Sequence, residues 1–111
     1  MNIIITGISG FLGRNIKQYL ESTYEIIGFS RNPTEDEYNI GDLLEGKHSS
    51  SIWIHLAGKA HDLKNKKNKD DYLNANLELT KDVYSQFLKD KNSRKFIFLS
   101  SVKAAASFTN Q

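Results

Sequence analysis

The sequence predicts an α/β fold, a parallel sheet with helices on both faces, and three observations carry that prediction. Short apolar runs alternate with helix-patterned or polar segments along the 111 residues. The runs at 2–6, 25–29 and 95–101 are nearly continuous in apolar character, the habit of parallel strands buried on both faces. A turn with glycine at positions 7, 10 and 13 joins the first strand-like run to the first helix-like one.

Asn2 to Thr6 (Asn-Ile-Ile-Ile-Thr) reads as the first strand. Phe11 to Ser22 reads as a helix, with Leu12, Ile16, Tyr19 and Leu20 on one face. Glu25 to Phe29 is the second strand. Ser30 to Ser51 is mostly polar and is broken by Pro33, Gly41 and Gly46, so no regular element is expected there. Ser51 to Ala57 (Ser-Ile-Trp-Ile-His-Leu-Ala) is the third strand, and Gly58 to Asn68 a lysine-rich loop. A long helix from about Lys69 to Lys89 places Tyr72, Asn76, Leu79, Val83 and Phe87 on one stripe. Lys95 to Ser101 is the fourth strand, and Ala104 to Gln111 has no clear element. Strands alternating with helices give βαβ units with right-handed crossovers. No internal repeat or domain boundary interrupts the chain, whose length suits one small domain.

Composition excludes several classes of function. There is no cysteine, so disulfides, thiol nucleophiles and thiolate metal sites are ruled out. A cytoplasmic location is the expectation that fits. No apolar run approaches the roughly 20 residues of a membrane helix, and Ile3 to Ile5 leads into a glycine turn rather than a secretory signal. The net charge of +2 is too small to indicate a nucleic-acid partner. Lys64, Lys66 and Lys67 are diluted by Asp62, Asp70 and Asp71, so that loop reads as solvated; attraction of an anionic nucleotide-sugar is the lesser alternative.

The glycine turn carries chemistry. Gly7 would allow a sharp exit from the strand, Gly10 would let a pyrophosphate approach the backbone, and Gly13 would let the helix pack closely on the sheet. Amides near Phe11 and Leu12 would bond phosphate oxygens, and the helix dipole adds about 0.3–1 kcal/mol for an anion. The spacing is G-x-x-G-x-x-G rather than G-x-G-x-x-G. A glycine-rich loop without a ligand is the alternative for the glycines alone. The strand before them, the helix after and the next strand select dinucleotide binding, and with it part of a Rossmann fold.

Thr6-Gly7-Ile8-Ser9-Gly10-Phe11-Leu12-Gly13 resembles the T-G-x-x-G-F-x-G signature of the extended short-chain dehydrogenase/reductases, the NAD-dependent epimerase/dehydratase family. That group includes nucleotide-sugar epimerases, dehydratases and 4-keto reductases. Three further segments match in order: His55-Leu56-Ala57-Gly58, Asn74-Ala75-Asn76-Leu77-Glu78-Leu79-Thr80, and Phe98-Leu99-Ser100-Ser101-Val102. The resemblance covers nearly the whole chain.

The resemblance implies roles for particular residues. An acid after the second strand selects NAD by bonding the adenosine ribose. Here Ser30-Arg31 stands instead, and arginine can hold a phosphate bidentately. The cofactor expected is therefore NADP or NAD, leaning to NADP; a solvated loop arginine is the competing reading. Asp42-Leu43 resembles the pair that flanks adenine, the acid accepting from the amine and the leucine covering the ring. A helix N-cap aspartate is the alternative. Leu56, Ala57 and Gly58 would pass near the cofactor, and Ser100 would line the nicotinamide side through its backbone. Ser101 would be the catalytic, substrate-binding hydroxyl, against a solvated strand end. Asn76 would help order the active-site hydrogen-bond chain, against a structural amide bonding a neighbouring strand. His55 reads as a satisfied core group. It shows no metal-ligand spacing with His48 or His61.

The family's general acid/base is a tyrosine with a lysine four residues on. Tyr19, Tyr24, Tyr38, Tyr72 and Tyr84 all lack that lysine, and none follows Ser101. The expectation is the N-terminal part of an extended enzyme, residues 1–111, with later strands and the substrate-binding region absent and catalysis lost. In the usual strand order, 3-2-1-4, the Lys95 to Ser101 strand sits inside the sheet; here it would become an apolar edge. Self-association into a homo-oligomer is then expected. A non-enzymatic dinucleotide-sensing module of the same fold is the rival reading, and a nucleic-acid binder using the lysine loop a distant second.

Overall fold

The computed structural model describes residues 1–57 and 66–100. The elements are β1 (Asn2–Thr6), α1 (Phe11–Leu20), β2 (Glu25–Ser30), β3 (Tyr38–Asn39), α2 (Ile40–Leu44), β4 (Ile52–Ala57), α3 (Lys66–Lys89) and β5 (Lys95–Ser100). The five strands form one parallel sheet in the order β3-β2-β1-β4-β5. This is the α/β, Rossmann-like arrangement that the strand and helix alternation predicts.

β1 is central, and its composition explains why. Ile3 and Ile5 point to one face, where they pack with Ile8, Ile54 and Leu56 beneath Leu12, Ile16 and Leu20 of α1. Ile4 points to the other, against Phe29, Leu43, Trp53 and Val83. A strand flanked on both sides and covered on both faces has no use for alternation. Full burial of each such side chain contributes about 1.5–3 kcal/mol.

Three expectations are corrected. First, α1 ends at Leu20 rather than Ser22, where the Glu21 amide donates to the Lys17 carbonyl at 2.9 Å. Tyr19, expected on its buried face, is 82% exposed. At 100° per residue it lies about 60° from the centre of the Leu12–Ile16–Leu20 stripe, at its rim. Second, the long helix begins at Lys66, three residues before the expected start. Third, the polar stretch after the second strand contains β3 and α2. β3 has only two residues, paired Phe29 with Tyr38 and Ser30 with Asn39. The Asn39 side chain then caps α2, accepting from the Gly41 amide at 2.8 Å. Ile40, Leu43 and Leu44 turn into the core. Elements this short give no periodic signal; the capping bond and three apolar contacts make them.

At the far end of the sheet, Asp90 pins α3 to β4. Its carboxylate accepts from the Ser49 hydroxyl at 2.7 Å, the Ser50 amide at 2.9 Å and the Asn92 amide at 3.0 Å. Partial burial alone would raise its pKa, but these bonds prevail and hold the carboxyl below its usual value. We expect Asp90→Ala to lower unfolding stability by about 1–3 kcal/mol, read from urea denaturation, because it strands the Ser50 amide. A midpoint equal to that of the wild type would show that the pin is dispensable.

Candidate functional site

The strand order reverses at β1: β2 and β3 lie to one side, β4 and β5 to the other. In open parallel sheets, ligands bind in the crevice at the carboxyl ends of the strands beside such a reversal. The glycine turn leaves β1 there.

The turn is held by its own backbone. The amides of Gly7 and Ile8 donate to the Phe29 carbonyl at 3.0 and 3.3 Å, and the Gly10 amide to the Gly7 carbonyl at 3.3 Å. Gly7 has φ +77°, in the left-handed region that glycine tolerates. Gly13 lies where α1 crosses the strand exit; a Cβ there would fall 2.5 Å from the Gly7 carbonyl oxygen and 2.6 Å from that of Ile8. Gly10 differs from both. Its φ of −75° and ψ of 174° suit any residue. A Cβ would meet only the Gly7 oxygen, at an ordinary 3.7 Å. Nothing in the described chain requires glycine at position 10, whereas a ligand backed against the turn would.

Gly10 is the N-cap of α1 and offers no side chain, and the first turn carries no acid. The Arg14 amide is the first to find an acceptor, the Gly10 carbonyl at 3.0 Å. The amides of Phe11, Leu12 and Gly13 have no acceptor among the described residues. Three unpaired N–H groups at the positive end of a helix dipole form a seat for an anion. Phe11 is exposed, Leu12 partly buried against the core.

At the end of β2, Ser30 is buried and its hydroxyl donates to Glu37 Oε1 at 3.1 Å. Arg31 is exposed, and its Nη2 donates to Asn76 Oδ1 on α3 at 3.4 Å. The structure thus brings together Arg31 and Asn76, which the sequence treats as parts of separate motifs. It also adds Glu37, an acid seven positions beyond the strand end with no pattern to mark it. Asn76 bonds the residue after β2 rather than a neighbouring strand.

The adenine-flanking pair is corrected in part. Asp42 lies in the first turn of α2, but the N-cap is Asn39, so the alternative cap role is excluded. Its carboxylate is half-exposed and only loosely paired with Lys47, at 3.8 Å. The Leu43 side chain is fully buried against Phe29 and Trp53 and is not free to cover a ring, because α2 needs it as its core anchor. On the other side of the crevice Leu56 is buried, and its carbonyl oxygen lies 2.7 Å from where a Gly7 Cβ would stand. Ala57 pairs with Ser100 at the carboxyl ends of β4 and β5. Gly58 and Ser101 lie outside the described residues, as does the lysine loop up to position 65.

His55 is a core group, 2% exposed. Thr80 Oγ1 donates to the Asn76 carbonyl at 2.8 Å, so toward His55 Nε2, 2.9 Å away, it accepts. This network assigns the Nε2–H tautomer, leaving Nδ1 to accept from the Thr6 hydroxyl. Phe96 and Phe98 lie beside the ring. Burial pushes its pKa down to about 4.

A model of the NAD dependent epimerase/dehydratase family matches residues 3–111. The chain belongs to that family. Two solved structures share the fold. Human epimerase family protein SDR39U1 (isoform 2), with NADPH, is 23% identical at a TM-score of 0.78, over 93% of this chain and 37% of that one. A short-chain dehydrogenase/reductase superfamily protein from Agrobacterium tumefaciens, with bound NAD, is 21% identical at a TM-score of 0.62, over 88% and 32%. This chain thus spans about a third of the length of each. No curated protein matches. Within this family the free amides of α1 and the open face of Gly10 fit a dinucleotide pyrophosphate. No helix among the described residues is long and apolar enough to cross a membrane, and no cluster there has the ligands for a metal.

The neutral His55 generates a pH dependence. Its folded pKa lies below the ordinary 6.5, so the unfolded chain takes up the proton first. Stability is full above pH 6.5, declines as pH falls from there toward 4, and this contribution flattens below. The loss is on the order of 3 kcal/mol. Urea unfolding of wild type and His55→Gln across that interval should show the gap between them narrowing as pH drops. A gap that stays constant would mean His55 does not titrate on unfolding.

Proposed function

We propose that this chain is the dinucleotide-binding portion of an NAD(P)-dependent enzyme acting on a nucleotide-sugar, of the epimerase, dehydratase or 4-keto reductase kind. The observation that carries the binding reading is Gly10, a glycine that nothing in the described chain requires, above three amides that have no acceptor among the described residues. The NADPH of the human neighbour and the NAD of the bacterial one support the class of ligand.

The amides of Phe11, Leu12 and Gly13 would hold the pyrophosphate. Arg31 would meet the adenosine ribose, and a 2′-phosphate there would replace its Asn76 partner, which leans the reading to NADP. Asp42 would accept from the adenine amine, with Leu43 contributing backbone alone. Ala57, Gly58 and Ser100 would border the nicotinamide half. The bound dinucleotide supplies hydride exchange with a sugar carbon. Ser101 would hold the reacting sugar oxygen. No tyrosine of this chain has a lysine four residues on, so proton transfer needs a group beyond these residues, and the chain alone should be inactive. That same lack favours the second reading, a dinucleotide-sensing module without chemistry.

Two variants test the seat. Gly10→Ala should leave thermal stability near that of wild type yet weaken dinucleotide binding about tenfold or more in calorimetric titration. Gly13→Ala should instead lose about 1–3 kcal/mol of stability, or more, through backbone overlap. Wild-type affinity in Gly10→Ala would sink the reading. Arg31→Gln should weaken NADP about tenfold and NAD little, as expected for one lost charge-assisted phosphate contact. Equal effects on both would make Arg31 a solvated loop residue.

A further inference from the structure

We infer that the Arg31–Asn76 contact is a latch across the crevice, one that an entering dinucleotide has to open, an inference that rests on the dinucleotide reading above. Arg31 follows β2, on one side of the strand reversal, and Asn76 lies on α3, which follows β4 on the other side. The bond from Nη2 to Oδ1, at 3.4 Å, therefore spans the carboxyl ends of the strands between them. A ligand bound at the reversal lies in that same place.

Both ends of the span are fixed. On the β2 side, the buried Ser30 hydroxyl donates to Glu37 Oε1 at 3.1 Å, and Ser30 pairs with Asn39 of β3. On the α3 side, Thr80 Oγ1 donates to the Asn76 carbonyl at 2.8 Å and accepts from the buried His55 at 2.9 Å. Val83, further along α3, is fully buried with Ile4 and Trp53. The movable part is the arginine side chain, which is exposed and rich in rotamers. Its partner is a neutral amide, and among the described residues no carboxylate pairs with it. A guanidinium bonds an anionic oxygen more strongly than an amide oxygen, so this partner is readily exchanged.

The latch has two consequences. While it is closed the crevice is not competent, and the apparent affinity for a dinucleotide falls by the fraction of molecules that are open. Opening it also frees Asn76 Oδ1, so the residue that the family resemblance places in the active-site hydrogen-bond chain becomes available once the dinucleotide is seated.

Asn76→Ala removes the acceptor, suits a helix interior and leaves the Thr80 bond, which uses the backbone carbonyl. In calorimetric titration this variant should bind NAD and NADP each about threefold more tightly than wild type, the worth of one exposed hydrogen bond. In an Arg31→Ala background the same substitution should change neither affinity, which completes a double-mutant cycle. Unchanged or weaker binding of either ligand in Asn76→Ala, or an equal gain with and without Arg31, would overturn the latch. Failure of wild type and Asn76→Ala alike to take either dinucleotide would overturn the underlying reading, and the latch with it.

Discussion

Everything in the crevice depends on how closely the start of α1 lies against the exit of β1. That approach is backbone on backbone. Gly7 turns the chain with a positive φ, and a Cβ at Gly13 would stand 2.5 Å from the Gly7 carbonyl oxygen, so any other residue there would collide. A helix standing off by the width of a methyl group would aim its first amides elsewhere. The apolar packing of Leu12, Ile16 and Leu20 presses the helix down onto Ile3 and Ile5, and the two glycines set how far it can go.

A second constraint crosses the core beneath the crevice. Thr6 at the end of β1, His55 on β4 and Thr80 on α3 form one hydrogen-bonded chain that reaches the Asn76 carbonyl, and the Asn76 side chain in turn takes Arg31. Each buried polar atom in it has a partner, which is the condition for such a chain to stabilise rather than weaken a core. It ties α3 to both sides of the strand reversal. Arg31 after β2 and the strand ends are thereby linked through fixed geometry, while the neutral imidazole keeps charge out of the interior.

The electrostatics of the site follow a simple division. The start of α1 is uncharged protein: amides and a helix dipole, with no acid in the first turn. Charged side chains, Arg31, Glu37 and Asp42 among them, come instead from the segment between β2 and β4.

The sequence by itself determined the sheet, its central strand and the glycine turn, because continuous apolar runs and left-handed or close-approach backbone positions constrain residue type locally. Leu79, Val83 and Phe87 on α3, and the buried state of His55, were legible for the same reason. Only the tertiary structure decided the rest. β3 and α2 are too short to show a period, and exist because Asn39 caps and Leu43 buries. Leu43 looked like a ligand contact until the fold claimed it for the core, and Tyr19 like a core residue until the helix rotation left it at the rim. Glu37 beside Ser30 and Arg31 beside Asn76 are pairs 7 and 45 positions apart. Such contacts depend on the path of a loop and the placement of a helix in space, and no spacing along the chain encodes them.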